Sequence, residues 1–460
     1  MQKILIVLVV LWPVLAFSQI TRDPGSPSEY GWQYYGKAGF SADSADFTTL
    51  AFNQLGQPFV AFQDVGHQRK ATAMTYDGVG WRVLGGEGFS AGIARYTSLA
   101  LGSGGQPFVA YSDGGYSFKA TVMKFTGTNW VNLGVPGFST DEVRDVCLAF
   151  SQSGEPYVAF CDYSVDQKAT VMKFDGSNWV VIGTAGFSAG SAYYLSFAFS
   201  PSGKPTLAFQ DYGNSQKATV MQFNGTSWVN LGNSGFTTAK AISLSLAFSP
   251  EDEAYLAFSD EASAYKLSVM KFDGTNWVNV GLPGASSGFI EYTSLAFGPD
   301  GLPYAAFEDY GEDGEAAMMK FDGAAWAYVG EDGFTPSEAD YVCLKFSADG
   351  KACVLFEDYE QGGKASLMKY DSVYNGVDDH SQMRLSVFPN PSDKFVSISF
   401  LNGKNEKADL QIADVNGRNC LRTAFSGNKL SLDVRDYPAG VYIITLRTSN
   451  AVVTRKFLKR

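Results

Sequence analysis

The sequence predicts an all-β protein, in which a seven-bladed β-propeller is followed by a small Ig-like β-sandwich. The first observation is a strict period, since seven of the eight tryptophans lie 49 residues apart. The second is that each period contains four short strand-like segments, and the third is a change of charge and pattern near residue 372. A fixed period of this length is typical of repeat architectures. The periodic tryptophans are Trp32, Trp81, Trp130, Trp179, Trp228, Trp277 and Trp326.

One copy of the repeat, Ser196 to Gly232, shows the strand pattern clearly. Its segments are rich in β-branched and aromatic residues, and turn residues such as Pro201–Gly203 and Asn224–Gly225 separate them. No segment has a helical period over a useful length. A four-stranded sheet this small cannot bury both faces alone, whereas radial stacking of seven sheets buries them. An open β-solenoid is the alternative, although its repeats are usually shorter and its strands parallel.

The phase of the repeat predicts how the ring closes. The first tryptophan segment, Gly31 to Gly36, precedes any complete unit, and the last unit has no tryptophan segment after Tyr370. We therefore expect the N-terminal strand to complete the seventh blade and to remove an exposed sheet edge.

Composition divides the chain into four parts. Residues 1–18 have a short apolar stretch and small residues before Gln19, and we interpret them as a signal peptide rather than an uncleaved anchor. Residues 19–371, the predicted propeller, carry 21 Lys and Arg against 39 Asp and Glu, whereas residues 372–460 carry 13 against 8. Residues 372–383 are predicted to be a linker and residues 384–460 the sandwich. The acidic propeller argues against a nucleic-acid partner.

The C-terminal part resembles the type A sorting domain of Bacteroidetes proteins that are secreted by the type IX (Por) system. The matching stretches are Val387–Pro391, Ile412–Arg418, Tyr437–Tyr442 and Arg455–Arg460. The resemblance implies export through the periplasm, the type IX machinery as partner, and a mature protein that is released or attached to the cell surface. An ordinary β-sandwich binding module is the alternative. The residues that carry the resemblance are Pro389, Asn390, Pro391, Gly417, Gly440, Tyr442 and Lys456.

Residues 31–371 are similar to seven-bladed propellers of extracellular bacterial proteins. The shared pattern, Gly-x-Pro-Tyr-Val-Ala-Phe followed by Val-x-Lys-Phe-Asp-Gly-x-x-Trp, occurs here at Gly154–Phe160 and Val171–Trp179. This resemblance implies a fold and not an activity, because propellers support many unrelated functions.

Each repeat also carries one aspartate directly after its second predicted strand. A ring of carboxylates around one face is one interpretation. The other is a repeated turn-capping residue that can pair with the lysine found six positions later in all repeats except the one with Glu315. Repetition in all blades favours the structural interpretation, because a specific site rarely needs seven identical copies. The ring consists of Asp64, Asp113, Asp162, Asp211, Asp260, Asp309 and Asp358.

Positions that vary between repeats are better candidates for a binding site. Two adjacent repeat positions, in the predicted loop between the fourth strand and the next first strand, combine aromatic and charged residues. Such residues suit stacking on sugar rings or anchoring of a protein partner, whereas packing at the blade rim is the structural alternative. The candidates are Arg95, Tyr96, Arg144, Tyr194, Tyr292 and Tyr341.

The sequence offers weak support for catalysis or cofactors. His67 is the single histidine of the predicted propeller, and no Cys/His cluster has zinc-site spacing. Calcium is conceivable at the acidic run Glu308–Glu315, but the run lacks the EF-hand pattern and we interpret it as a solvated loop. Cys147 and Cys161 could form a disulfide or remain separate thiols. We therefore expect no cofactor. The expected function is that of a secreted protein that binds a glycan or a protein. A polysaccharide hydrolase or lyase is one alternative, and a structural surface protein is the other.

Overall fold

A computed structural model describes residues 29–373, 384–388, 394–401, 408–414, 418–425, 429–447 and 452–459. The predicted signal peptide and most of the predicted linker lie outside these residues. Within them the protein is all-β, apart from single turns of 3-10 helix. Seven four-stranded antiparallel sheets are followed by a three-stranded and a four-stranded sheet. The predicted fold class is confirmed.

Each of the first six blades is built from four consecutive strands. The first strand has eight residues, the second and third have seven, and the outermost has three. The short outer strand leaves little exposed edge for pairing with another chain. The strands are β2 Ala45–Phe52, β3 Pro58–Asp64, β4 Lys70–Tyr76 and β5 Trp81–Val83 in blade I; β6 Ala94–Leu101, β7 Pro107–Asp113, β8 Lys119–Phe125 and β9 Trp130–Asn132 in blade II; β10 Val143–Phe150, β11 Pro156–Asp162, β12 Lys168–Phe174 and β13 Trp179–Val181 in blade III; β14 Ala192–Phe199, β15 Pro205–Asp211, β16 Lys217–Phe223 and β17 Trp228–Asn230 in blade IV; β18 Ala241–Phe248, β19 Ala254–Asp260, β20 Lys266–Phe272 and β21 Trp277–Asn279 in blade V; and β22 Ile290–Phe297, β23 Pro303–Asp309, β24 Glu315–Phe321 and β25 Trp326–Tyr328 in blade VI.

Blade VII combines the two ends of the propeller. Its strands are β26 Ala339–Phe346, β27 Ala352–Asp358, β28 Lys364–Val373 and, from the N-terminus, β1 Glu29–Tyr34. Strand β1 pairs antiparallel with β28, and Trp32 lies opposite Tyr370. The predicted closure is confirmed. β28 continues two residues beyond residue 371, where the sequence pattern ends the propeller.

The periodic tryptophans join each blade to the blade before it. In every blade the indole Nε1 donates to a backbone carbonyl of the preceding blade, as Trp179 does to Leu133 at 2.9 Å. The same ring stacks on a phenylalanine of the preceding connection, Phe138, with ring centroids 4.6 Å apart. Trp326 is the exception to the stacking, because the corresponding position is Ala285. Burial between neighbouring sheets therefore supplies the core, as the repeat pattern predicts.

A single turn of 3-10 helix joins the second and third strands of each blade. The residue after each turn has a left-handed backbone conformation, as at Ser215, with φ of 57°. The turns are Val65–His67, Gly114–Tyr116, Tyr163–Val165, Tyr212–Asn214, Glu261–Ser263, Tyr310–Glu312 and Tyr359–Gln361.

Two sheets that share one hydrophobic core form the C-terminal part. Val396 and Ile398 of one sheet pack with Ile412, Ile444 and other apolar residues of the second sheet. The sequence predicts strands near residues 395–400, 408–414, 429–434, 441–447 and 452–457, and five strands of the structure match them. β29 and β32 lack a matching prediction. The sheets contain β29 Arg384–Phe388, β30 Phe395–Leu401 and β33 Lys429–Asp433, and β31 Ala408–Asp414, β32 Asn419–Phe425, β34 Gly440–Arg447 and β35 Val452–Lys459.

Cys147 and Cys161 are separate thiols, so a disulfide between them is excluded. A bulge in β10 shifts the register, and Cys161 then lies opposite Arg144 while Cys147 lies opposite Ala159. The Cys147 Sγ donates instead to a carbonyl oxygen of the next blade, and burial raises its pKa to about 12. Both cysteines are therefore core residues rather than reactive groups.

Candidate functional site: the axial cavity

A cavity of about 430 Å³ lies where the first strands of all seven blades meet. Each blade contributes the third and the fourth residue of its first strand to the lining. The cavity is therefore a product of the closed ring, with no single blade able to form it. The third-position residues are Phe47, Tyr96, Asp145, Tyr194, Ser243, Tyr292 and Tyr341.

A left-handed backbone conformation marks each of these positions. Their φ angles range from 46° at Tyr292 to 55° at Tyr96, although none of the seven is a glycine. Such a conformation is unfavourable for bulky residues, and here it accompanies a bulge that shifts the register of the first and second strands. Hydroxyls of neighbouring blades stabilise the bulge: the Thr48 Oγ1 donates to the Tyr341 carbonyl oxygen at 2.8 Å. Since the bulge occurs in every blade, it belongs to the architecture.

Four aromatic rings form a continuous arc along one side of the cavity. Phe47 lies between Tyr96 and Tyr341, with ring centroids 5.0 Å from each, and Tyr341 lies 4.8 Å from Tyr292. Neighbouring ring planes are inclined by about 50° to one another. Tilted contacts of this kind are favourable for aromatic pairs. Burial raises the pKa of Tyr292 and Tyr341, and nearby carboxylates add to the increase. These phenols are therefore neutral at physiological pH and can donate hydrogen bonds.

Acidic and polar groups complete the lining of the cavity. Asp145 accepts a hydrogen bond from the Tyr194 backbone N–H at 2.6 Å, and burial raises the pKa of its carboxyl to about 6. Burial also raises the pKa of Glu291. No lysine or arginine is among the residues that line the cavity. The site therefore combines aromatic faces with hydrogen-bonding groups and excess negative charge.

The two predicted arginines lie outside this cavity. The Arg95 guanidinium stacks over the Phe118 ring, 4.2 Å from its centroid. Arg144 lies 5.2 Å from the Tyr163 ring and lines a neighbouring cavity of about 340 Å³ with Tyr96 and Tyr194. The four predicted tyrosines thus meet at the axis, whereas the arginines lie beside it.

The candidates do not lie on loops at a rim, so that expectation was wrong. They belong to the first strands, which begin at Ala45 in blade I and at equivalent positions elsewhere. The bulge turns the third residue of each strand toward the axis, and no signal in the sequence specifies it. The same repeat position also brings Phe47, Asp145 and Ser243 to the cavity, and these were absent from the predicted set.

The ring of aspartates is buried and hydrogen bonded within the blades. Asp211 accepts from the Gly213 backbone N–H at 2.9 Å, from the Asn214 side chain at 2.7 Å and from the Thr219 hydroxyl at 3.1 Å. Five of the seven accept the equivalent turn bond, whereas Asp64 and Asp358 do not. Within residues 29–373, no ring aspartate forms an ion pair with its predicted lysine. These contacts hold the turn between the second and third strands.

Carboxylates concentrate where blade VI meets blade VII. Glu308 and Asp309 are 0% exposed, so the interpretation of the run Glu308–Glu315 as a solvated loop was wrong for its first two residues. Burial and the neighbouring Asp340 raise the pKa of Glu308 to about 8. Burial and Glu338 raise the pKa of Asp340 to about 6. We call Glu308, Glu338 and Asp340 the VI/VII carboxylate cluster.

Both ring nitrogens of His67 contact carboxylates. Its Nδ1 lies 2.9 Å from Asp64 and its Nε2 lies 3.1 Å from Glu87. Since both ring nitrogens face acceptors, the ring cannot activate a serine hydroxyl in this arrangement.

In the C-terminal part, Tyr442 is buried in the core of the two sheets. Its ring stacks on Phe457 at 5.1 Å, and its hydroxyl donates to the Pro438 carbonyl oxygen at 2.8 Å. Gly440 begins β34 and Lys456 lies in β35. Of the predicted sorting residues, Pro389, Asn390, Pro391 and Gly417 lie outside the described residues.

Residues 386–460 match the profile of the secretion system C-terminal sorting domain family. This segment is a type IX sorting domain. It implies that the chain interacts with the secretion machinery and is exported to the cell surface or the medium. No helix among the described residues has the length and hydropathy required to cross a membrane.

Several solved structures are similar to the propeller part. A protein of unknown function from Dyadobacter fermentans is 13% identical, with 74% of this chain and 99% of that chain covered and a TM-score of 0.44. A polysaccharide lyase described as a PL25 ulvan lyase is 11% identical, with 74% and 95% covered and a TM-score of 0.48. The six-bladed fucose-binding lectin of Aleuria aurantia is 15% identical, with 65% and 99% covered and a TM-score of 0.42. No curated protein matches the sequence.

Proposed function

We propose that the exported propeller is a glycan-binding protein and that a neutral or amino-bearing sugar enters its axial cavity. The aromatic arc of Tyr96, Phe47, Tyr341 and Tyr292 is the observation that carries the proposal. Sugar rings present C–H faces that pack on aromatic rings and hydroxyls that need hydrogen-bonding partners. The cavity offers both kinds of group.

The charge of the lining favours one class of sugar. Asp145 and Glu291 are acidic, and lysine and arginine are absent from the cavity wall. A sulfate or uronate would have no cationic partner there and would lose its hydration. Hydroxyls and ammonium groups, in contrast, can donate to the two carboxylates. Neutral and amino sugars should therefore bind better than anionic ones.

The size of the cavity supports a small ligand group rather than a folded partner. A volume of about 430 Å³ lies in the range of small-molecule sites. Tyr194, which is 44% exposed, stands at the cavity and can contact the part of a chain that extends outward. The end of an oligosaccharide therefore fits better than a protein surface.

A glycan array with residues 19–373, which retain all of β28, tests the proposal, followed by calorimetry with the best ligand. Tyr292→Ala and Tyr341→Ala should each weaken binding about five- to thirtyfold, since loss of an aromatic anchor costs roughly 1–2 kcal/mol. Tyr116→Ala is the matched control, because Tyr116 is 40% exposed on a turn and does not line the cavity. Equal loss in the control would contradict a site at the axis.

The same preparation distinguishes the alternatives. Release of products from a polysaccharide panel at low protein concentration would identify a hydrolase or lyase. Binding of a protein partner that survives both tyrosine substitutions would place the function elsewhere. Absence of binding and of turnover would support a structural role at the cell surface.

A further inference from the structure

The VI/VII carboxylate cluster brings together three acids from two blades. One carboxylate oxygen from each of Glu308, Glu338 and Asp340 lies within 4.8 Å of the others. Oxygen ligands bind Ca²⁺ at about 2.3–2.6 Å, so two ligands of one ion can be at most about 5 Å apart. Within residues 29–373, no lysine or arginine forms an ion pair with any of the three. Their spacing suits one cation between them.

Glu308 supplies a second and independent observation. It is 0% exposed, and neither of its carboxylate oxygens has a hydrogen-bond partner. The Tyr310 phenol lies close to this carboxyl and lowers its pKa, but its distance and angles do not satisfy those of a normal hydrogen bond. Such a buried carboxyl either takes up a proton or needs a cation beside it, because an unpaired buried charge is strongly unfavourable.

The next seam of the propeller, between blades VII and I, shows how the chain satisfies the equivalent acid. Glu357 occupies the position of Glu308, one repeat later, and it is also buried. Its Oε1 accepts a hydrogen bond of 2.8 Å from the Ser44 hydroxyl. The residue that corresponds to Ser44 in the VI/VII seam is Glu338. A third carboxylate therefore replaces the donor that would have satisfied Glu308.

Blade I shows a second way in which this region is neutralised. Arg69 follows its 3-10 turn and donates to Asp46 at 3.2 Å and to Gln63 at 3.3 Å. The equivalent residue in blade VI is Gly314. A Cβ at Gly314 would lie 3.2 Å from a Glu308 carboxylate oxygen and 3.1 Å from Glu338 Cγ. The Glu308 and Glu338 side chains thus pack closely against the Gly314 backbone, at the position where blade I carries a guanidinium.

We propose that Glu308, Glu338 and Asp340 form a calcium site that joins blade VI to blade VII. Three carboxylates and no soft donor match the preference of this hard cation, and water can complete its coordination. Blade VII is the blade that closes the ring through β1. An ion at this seam would stabilise the contact between the closing blade and its neighbour, and its role is independent of the axial sugar site.

The test begins with the full chain, treated with EDTA and dialysed. Calorimetry with CaCl₂ should show one ion per chain, and 5 mM CaCl₂ should raise the melting temperature by several degrees. Tb³⁺ should bind with luminescence sensitised by nearby tyrosines and should be displaced by Ca²⁺. Absence of both Ca²⁺ binding and the thermal shift in the native chain would overturn the proposal.

Glu308→Gln separates a metal ligand from a purely structural acid. The variant should bind Ca²⁺ at least tenfold more weakly, yet in EDTA it should melt as high as the native chain or higher, because it removes a buried acid that must take up a proton or remain unpaired when the ion is absent. Asp340→Asn should weaken Ca²⁺ binding as well and provides a second variant. Glu357→Gln, the matched control from the next seam, should retain the calcium response. A Glu308→Gln variant with unchanged Ca²⁺ affinity would refute the assignment.

Discussion

Trp32 is the side chain that ties the N-terminal strand to the rest of the ring. Its Nε1 donates to the Val329 carbonyl oxygen at 3.0 Å, and its ring stacks on Phe334 with centroids 3.8 Å apart. Trp32→Ala removes a hydrogen bond of about 1 kcal/mol, a stacking contribution of about 1 kcal/mol and most of the indole burial. Because Trp32 is not completely buried, we expect a loss of about 3–4 kcal/mol, near the lower end for a core tryptophan.

Thermal unfolding and hydrogen exchange measure this loss. Entropy scaling for a propeller of this size converts it to a decrease of about 4–6 °C in the melting temperature. Trp179→Ala is the matched control, since Trp179 makes the same bond and the same stack within a blade that is continuous in sequence. Only Trp32→Ala should increase amide exchange in β1 and its partner β28. Normal protection of β28 together with an unchanged melting temperature would refute the closure argument.

Four further outcomes are expected. Asp145→Asn should flatten the pH dependence of stability, measured by urea unfolding. Because the folded-state pKa of Asp145 is raised to about 6, the native chain should lose up to about 3 kcal/mol of unfolding free energy relative to the variant as the pH rises from 4 to 7. Ala285→Phe should restore the missing stack on Trp326 and raise stability by about 0.5–1.5 kcal/mol; a lower melting temperature would show that the seam has no space for the ring. Asp211→Ala should lower stability by roughly 0.5–2 kcal/mol and leave glycan affinity nearly unchanged, and loss of binding without loss of stability would identify the aspartate ring as the site. Deletion of residues 384–460 should retain a folded propeller in the periplasm of a host with type IX machinery, and normal secretion of the shortened chain would contradict the role of the tail.

Local signals account for the parts of the fold that were predicted correctly. Strand length, turn residues and the tryptophan period are properties of short segments, and seven copies reinforce each of them. The closure by β1 followed from the phase of the same period. The C-terminal part has no repetition to reinforce its local signals, and β29 and β32 were missed there.

The direction of side chains required the tertiary structure. A bulge of one residue reverses which side of a strand a residue faces, and the first strands carry this bulge at non-glycine residues such as Tyr292. The sequence therefore identified four tyrosines of the site but placed them on rim loops. Cys147 and Cys161 are offset along the hairpin, because the register from the turn pairs Cys147 with Ala159.

The sequence by itself determined the number of blades, their strand content, the closure of the ring and the identity of the tail, because these depend on local patterns and on their order along the chain. Only the tertiary structure decided which residues share a site. The axial cavity requires all seven blades, and the VI/VII carboxylate cluster joins Glu308 to Glu338 and Asp340, which lie 30 and 32 residues later in the chain. The physical reason is that burial and charge neutralisation are set by neighbours across a seam, and a residue's position in the chain does not specify those neighbours.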